Sequence, residues 1–106
     1  AQRLVFQAPS RMSLHFTWDS NKARSNAFQH GVGFQEAVPV FRDELAAIFE
    51  DAWHSDDEDR EIIVGHSEQN RLLVVIFMQR SESIRIISAR KATRRESEAH
   101  EKKRTR

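Results

Sequence analysis

The chain contains no cysteine. That excludes a disulfide framework, a thiolate nucleophile and any cysteine-based metal centre, and it suits a reducing cytosol. Long apolar runs are missing too. The longest, residues 72–78, falls far short of the roughly 20 residues needed to span a bilayer as a helix. Residues 1–12 carry only a brief Leu-Val-Phe patch, too little to read as a secretory signal. With three glycines and two prolines, the sequence shows no linker and no internal repeat. At 106 residues it is read as a single domain, which buries roughly 65% of its unfolded surface, enough for one core. Residues 1–11 are read as a disordered extension, or a remnant ahead of a natural start at Met12, and residues 102–106 as a frayed end.

What is present is charge, unevenly placed. The net value is +1, yet residues 50–61 hold seven acids against one base, and residues 91–106 hold seven bases against three glutamates. Opposite charge at two places in one small domain suits a basic partner, or self-pairing, at one and a polyanion at the other. Solvated surface is the plainer reading of the acidic run.

Apolar periodicity gives the elements. Leu14, Phe16 and Trp18 alternate with polar residues, as in an amphipathic strand. Asp19 or Ser20 can cap a helix over residues 21–30, with Gly31 in the left-handed stop position. Residues 34–41 read as helical, but Pro39 lies too deep for a first-turn proline and should shorten or kink the segment. Strands are expected at residues 45–49, 61–66, 71–80 and 83–89. Residues 72–78, apolar on both faces, mark a central strand covered on both sides. Thr93 and Glu96 have the spacing of a capping box that opens a basic helix over about residues 93–103. The expected architecture is α+β: a twisted antiparallel sheet of about four strands, N-terminal helices and a C-terminal basic helix.

The densest chemistry lies between Ile84 and Glu96. Arg85 sits among the strand residues Ile84, Ile86 and Ile87, and Arg90, Lys91, Arg94 and Arg95 follow. A charge beside a core needs a partner, and guanidinium holds phosphate or carboxylate with two parallel hydrogen bonds. Arg60, Arg71, Arg80, Arg85 and Arg90 each lie in or at the end of an expected strand, so adjacent strands could form a phosphate-binding floor. Strand parity sets Arg85 and Arg90 on opposite faces unless the backbone turns near Ser88 and Ala89. The competing reading pairs one or two of them with Glu58, Glu61 or Glu96.

Among acid–base groups, His54 and Glu58 stand in the acidic run, where an imidazole near neutrality can move protons. Consecutive acids such as Asp56, Asp57, Glu58 and Asp59 rarely converge on one ion, so no metal or other cofactor is expected. His15, His66 and His100 have no local constellation and read as structural or surface residues. Metal-free RNA cleavage needs a base for the ribose 2′-hydroxyl, cations around the phosphate and an acid for the leaving 5′-oxygen. The chain has these types: His54 or Glu58 for protons, and Lys22, Arg60, Arg80, Arg85 and Arg90, with Lys91 beside them, for charge. The same inventory suits a module that merely binds nucleic acid or an acidic protein.

The succession Trp18-Asp19, Lys22, Asn26, His30-Gly31-Val32 and Phe34, then His54-Ser55, Glu58 and Arg60, then Arg71-Leu72-Leu73-Val74-Val75, then Arg85 through Thr93 with Glu96, resembles the BrnT family of toxins from bacterial type II toxin–antitoxin systems. The likeness runs from about Phe16 to Glu101, and its last block is the most specific. The resemblance implies a RelE-like fold and a metal-independent endoribonuclease that cleaves RNA, inhibits translation and arrests growth in the bacterial cytoplasm. It implies as partner a BrnA-like antitoxin with a ribbon-helix-helix-type DNA-binding end, a 2:2 heterotetramer, contact with operator DNA only through that complex, and no membrane. Gln29 stands where the family usually has a base, Pro39 interrupts a helix, and His100 and Ser97 replace a common tyrosine and arginine. The alternative is a degenerate toxin: a non-catalytic module that binds antitoxin and serves operon autoregulation.

Overall fold

The computed structural model describes residues 2–3, 15–50 and 59–104. Asp19 opens the first helix, α1 (Ser20–His30), by accepting from the backbone N–H groups of Asn21 and Lys22. These are two of the donors that a helix start leaves without intrahelical partners. Gly31 closes it at φ 68°, a left-handed conformation that costs a residue with a β-carbon about 1–2 kcal/mol. Pro39 acts as the sequence suggests. The next helix, α2, is limited to Phe34–Ala37 and passes into a 3-10 segment, Val38–Arg42.

The strands are β1 (Gln2–Arg3), β2 (His15–Thr17), β3 (Ala47–Glu50), β4 (Arg60–His66), β5 (Leu72–Arg80) and β6 (Ser83–Lys91). They form one sheet in the order β1-β3-β4-β5-β6-β2. Helix α3 (Arg94–Arg104) completes the α+β architecture. The sheet is larger than the expected four strands. The core strands β3 to β6 pair antiparallel, but β2 joins the outer edge of β6 in parallel. Short alternating segments carry no signal for that long-range pairing.

Helices α1 and α2 and the 3-10 segment cover one face. There Val32, Phe34, Val40, Ile63, Leu73, Val75, Phe77 and Ile84 have no exposed surface. Phe41 meets Phe77 edge to face at 4.9 Å and Phe16 at 5.3 Å, while Trp18 stands edge-on to Phe34. Gly65 lets the 3-10 segment approach, since a β-carbon there would come within 3.1 Å of both Val40 and Asp43. On the other face Val64, Val74 and Met78 are also buried. β5 is therefore apolar on both sides, as residues 72–78 suggest. Helix α3 stands over this second face above a cavity of about 230 Å³ lined by Phe49, Ile62, Val64, Val74, Ala99 and His100, among others.

Between the pairs Ile76–Ser88 and Phe77–Ile86 the register slips, leaving Ile87 as one extra residue in β6. This bulge reverses the parity of everything after it.

Candidate functional site

Strand register decides which cations meet. Arg60 lies opposite Met78 on β5, and Met78 lies opposite Arg85 on β6. Directly paired residues share a face, so Arg60 and Arg85 flank Met78 in one row across the sheet. Arg80, two residues beyond Met78, is on the same face and pairs with Ser83. Met78 is buried and Arg60 half-buried, whereas Arg80 and Arg85 are exposed. Three guanidiniums thus stand at one end of one face.

The other expected members separate. The Ile87 bulge brings Arg90 to the same face as Arg85, resolving the parity conflict in the sequence. However, Arg90 pairs with Val74 in register, about 13 Å along the strand from the Met78 row. Its Nη1 and Nη2 donate to the two carboxylate oxygens of Glu96, each at 2.8 Å, and Nη1 also reaches the Lys91 carbonyl. Lys91 is registered with Leu73, which puts it on the opposite face. Arg71 does not join the row. It grips Glu36 through two nitrogens and the Gly31 carbonyl at 3.1 Å, so it ties α2 to the start of β5. Lys22 is exposed on α1, and together with Arg85 it lies within electrostatic reach of the Asp19 carboxylate. His54 and Glu58 lie outside the described residues.

The carboxylates report these contacts. Arg90 donates to Glu96 and holds its carboxyl down to about 2, while burial works the other way and the Thr93 N–H assists. The same pair raises Arg90 above the usual guanidinium range. Arg71, with help from Ser67, lowers Glu36 against the opposing effect of burial. Asp19 is lowered chiefly by the backbone N–H groups of Lys22 and Asn21. For Asp43 burial is the largest influence and opposes ionisation, yet the backbone N–H groups of His66 and Leu45 prevail and leave it below its usual value. Asp43 also lies 3.5 Å from the His66 ring, whose other neighbour is the His100 ring, edge-on at 5.9 Å. Among the described residues no three His, Asp or Glu side chains are grouped as a metal ion would require.

Two structural partners escaped the sequence reading. Glu36 is 35 residues from Arg71 in sequence, beyond any local spacing rule. Asn26 was legible only as part of a resemblance, although a buried asparagine on a polar helix is a sign of a backbone-binding role.

The protein is thus a small α+β fold with three arginines at one end of one sheet face. A family model, "Ribonuclease toxin, BrnT, of type II toxin-antitoxin system", matches residues 18–96, and the chain belongs to that family. Membership implies an antitoxin partner. The crystal structure of the Brucella abortus ribonuclease toxin BrnT superposes with a TM-score of 0.63 at 24% identity, covering 77% of this chain and 100% of that one. The fold is therefore BrnT-like. No curated protein matches the chain. Among the described residues no helix is long and apolar enough to cross a membrane.

Proposed function

We propose that the chain is a metal-independent endoribonuclease that inhibits translation in the bacterial cytoplasm until an antitoxin neutralises it. The observation that carries this reading is the register row Arg60–Met78–Arg85 with Arg80 beside it. A scissile phosphate over that row meets guanidinium from three strands held by a common sheet. Cations fixed where charge develops are the largest single aid to such a reaction. Lys22 adds charge from α1. Arg90, bound to Glu96, contributes by fixing α3 over the same face. His54 or Glu58 supplies proton transfer, from the connection whose described ends, Glu50 and Asp59, lie at the row's end of the sheet.

The partner would be a BrnA-like antitoxin with a ribbon-helix-helix-type end, in a 2:2 complex that reaches operator DNA through the antitoxin. The test is cleavage of total RNA by antitoxin-free protein in EDTA, beside the double variant Arg80→Ala, Arg85→Ala. Cleavage by the parent and none by the folded double variant is the expected result. RNA left intact by the parent would favour the non-catalytic, antitoxin-binding alternative.

A further inference from the structure

We propose that His15 is the base that takes the proton from the attacking ribose 2′-hydroxyl. The inference rests on the ribonuclease reading above and changes one part of it, moving the base's role from His54 or Glu58 to His15. From sequence alone His15 has no constellation; the sheet supplies one. β2 runs parallel to β6 with His15 opposite Ser83, Phe16 opposite Ile84 and Thr17 opposite Arg85. Phe16 packs into the covered core against Phe41, so its neighbours His15 and Thr17 point to the other face. Both are exposed. That face is the one carrying Arg85, Arg80, Met78 and Arg60.

Four strands therefore contribute to one surface, in the order Arg60, Met78 with Arg80, Arg85 with Ser83, and His15 with Thr17. Neighbouring strands lie about 4.8 Å apart, so the array spans about 14 Å, with the imidazole at one end and Arg60 at the other. Phosphoryl displacement runs roughly in line, with attacking and leaving oxygens on opposite sides of phosphorus. A phosphate seated over Arg80 and Arg85 leaves His15 beside one of those two positions. The backbone holds it there: the His15 N–H donates to the Glu82 carbonyl at 3.2 Å. Among the described residues, the charged side chains that register places nearest it are Arg85 on the adjacent β6, Arg80 in the same row on β5, and Glu82 in the turn between those strands. Imidazole accepts a proton near neutrality, and arginine beside it does not.

The step balances without a co-reactant other than water. The imidazole takes the 2′-hydroxyl proton, the 2′-oxygen bonds to phosphorus, and the bond from phosphorus to the 5′-oxygen breaks. The products are a 2′,3′-cyclic phosphate and a 5′-hydroxyl whose proton comes from water, while the imidazolium returns its own.

The experiment uses the full chain and a short RNA spanning a cut mapped on total RNA. His15→Ala and His15→Asn are compared with the parent for turnover, and for binding to the same RNA carrying a 2′-deoxy sugar at the cut. A third substrate has sulfur in place of the leaving 5′-oxygen, which departs without an acid. Turnover lower by about 10²- to 10⁴-fold in both variants, binding within twofold, and equal slowness on the sulfur substrate are the expected results. Turnover within threefold of the parent overturns the proposal and leaves the ribonuclease reading standing. So does full recovery on the sulfur substrate, which would make His15 an acid, or a loss of binding that accounts for the whole defect. A parent that cuts no RNA overturns both.

Discussion

The side-chain amide of Asn26 pairs with both backbone groups of Ala89: Nδ2 donates to the Ala89 carbonyl at 2.7 Å, and Oδ1 accepts from the Ala89 N–H at 3.1 Å. The same Nδ2 reaches the Val32 carbonyl at 2.9 Å. β2 covers the outer edge of β6 only as far as Arg85. Beyond it, just past the Ile87 bulge, Asn26 does for one residue what another strand would do. A helix that is otherwise polar is locked to the sheet, and the bulge that turns Arg90 toward the arginine face has its backbone satisfied.

Replacing Asn26 with alanine strands the N–H and carbonyl of Ala89, which is fully buried. The expected loss is about 3 kcal/mol, since each unsatisfied buried group costs roughly 1–3 kcal/mol. Urea unfolding measures it. Asn26→Asp should be no better, because a carboxylate cannot donate to the Ala89 and Val32 carbonyls. An unchanged midpoint in both variants would mean the amide is not needed at that edge.

The Glu96 carboxyl, held at about 2 against an ordinary 4.5, makes α3 sensitive to acid. A carboxyl lowered by folding stabilises the native state above its unfolded pKa, and that contribution disappears as pH falls through the folded value. The window is therefore about pH 4.5 down to 2. Both side chains are 37% exposed, so solvent screening reduces the effect to about 1 kcal/mol. Protection factors of the α3 amides, corrected for intrinsic exchange, should fall in the parent as pH drops through this range, and Glu96→Gln should remove most of that fall.

Arg71 and Glu36 hold α2 to the sheet, and the Glu36 side chain is 8% exposed. Glu36→Ala leaves the Arg71 guanidinium and the Ser67 hydroxyl without their carboxylate. A destabilisation of about 2 kcal/mol is expected, below that of a fully buried pair because Arg71 reaches solvent. Affinity of the folded variant for RNA should not change. Weakened RNA binding at unchanged stability would return Arg71 to the phosphate floor.

Much of this architecture is legible without coordinates. The capping box at Thr93 and Glu96 closes reciprocally, at 2.8 and 3.1 Å. Asp19, Gly31 and Pro39 act at their expected positions because caps, left-handed stops and proline are local physics. What stayed hidden is non-local. The bulge at Ile87 shifts parity for Arg90, the parallel seating of β2 brings His15 to the arginines, and Arg71 and Arg90, set apart from the row by register, pair with Glu36 and Glu96. Spacing placed five arginines in or at the ends of strands; register puts two of them, Arg60 and Arg85, in a single row with Arg80 beside it.

That sorting has a salt signature. Each phosphate neutralised on a single strand releases counterions, and the slope of log K against log salt steepens by roughly 0.7 per contact. With an RNA that cannot be cleaved as the probe, Arg80→Ala with Arg85→Ala should flatten the slope by about 1.4 and weaken binding similarly for unrelated sequences. Arg71→Ala should leave the slope unchanged, its guanidinium being engaged with Glu36 on α2. Lys91→Ala should do the same, since Lys91 is on the other face. The comparison separates a gathered site from diffuse positive charge: a protein held only by its net basicity would lose slope equally whichever of these cations is removed.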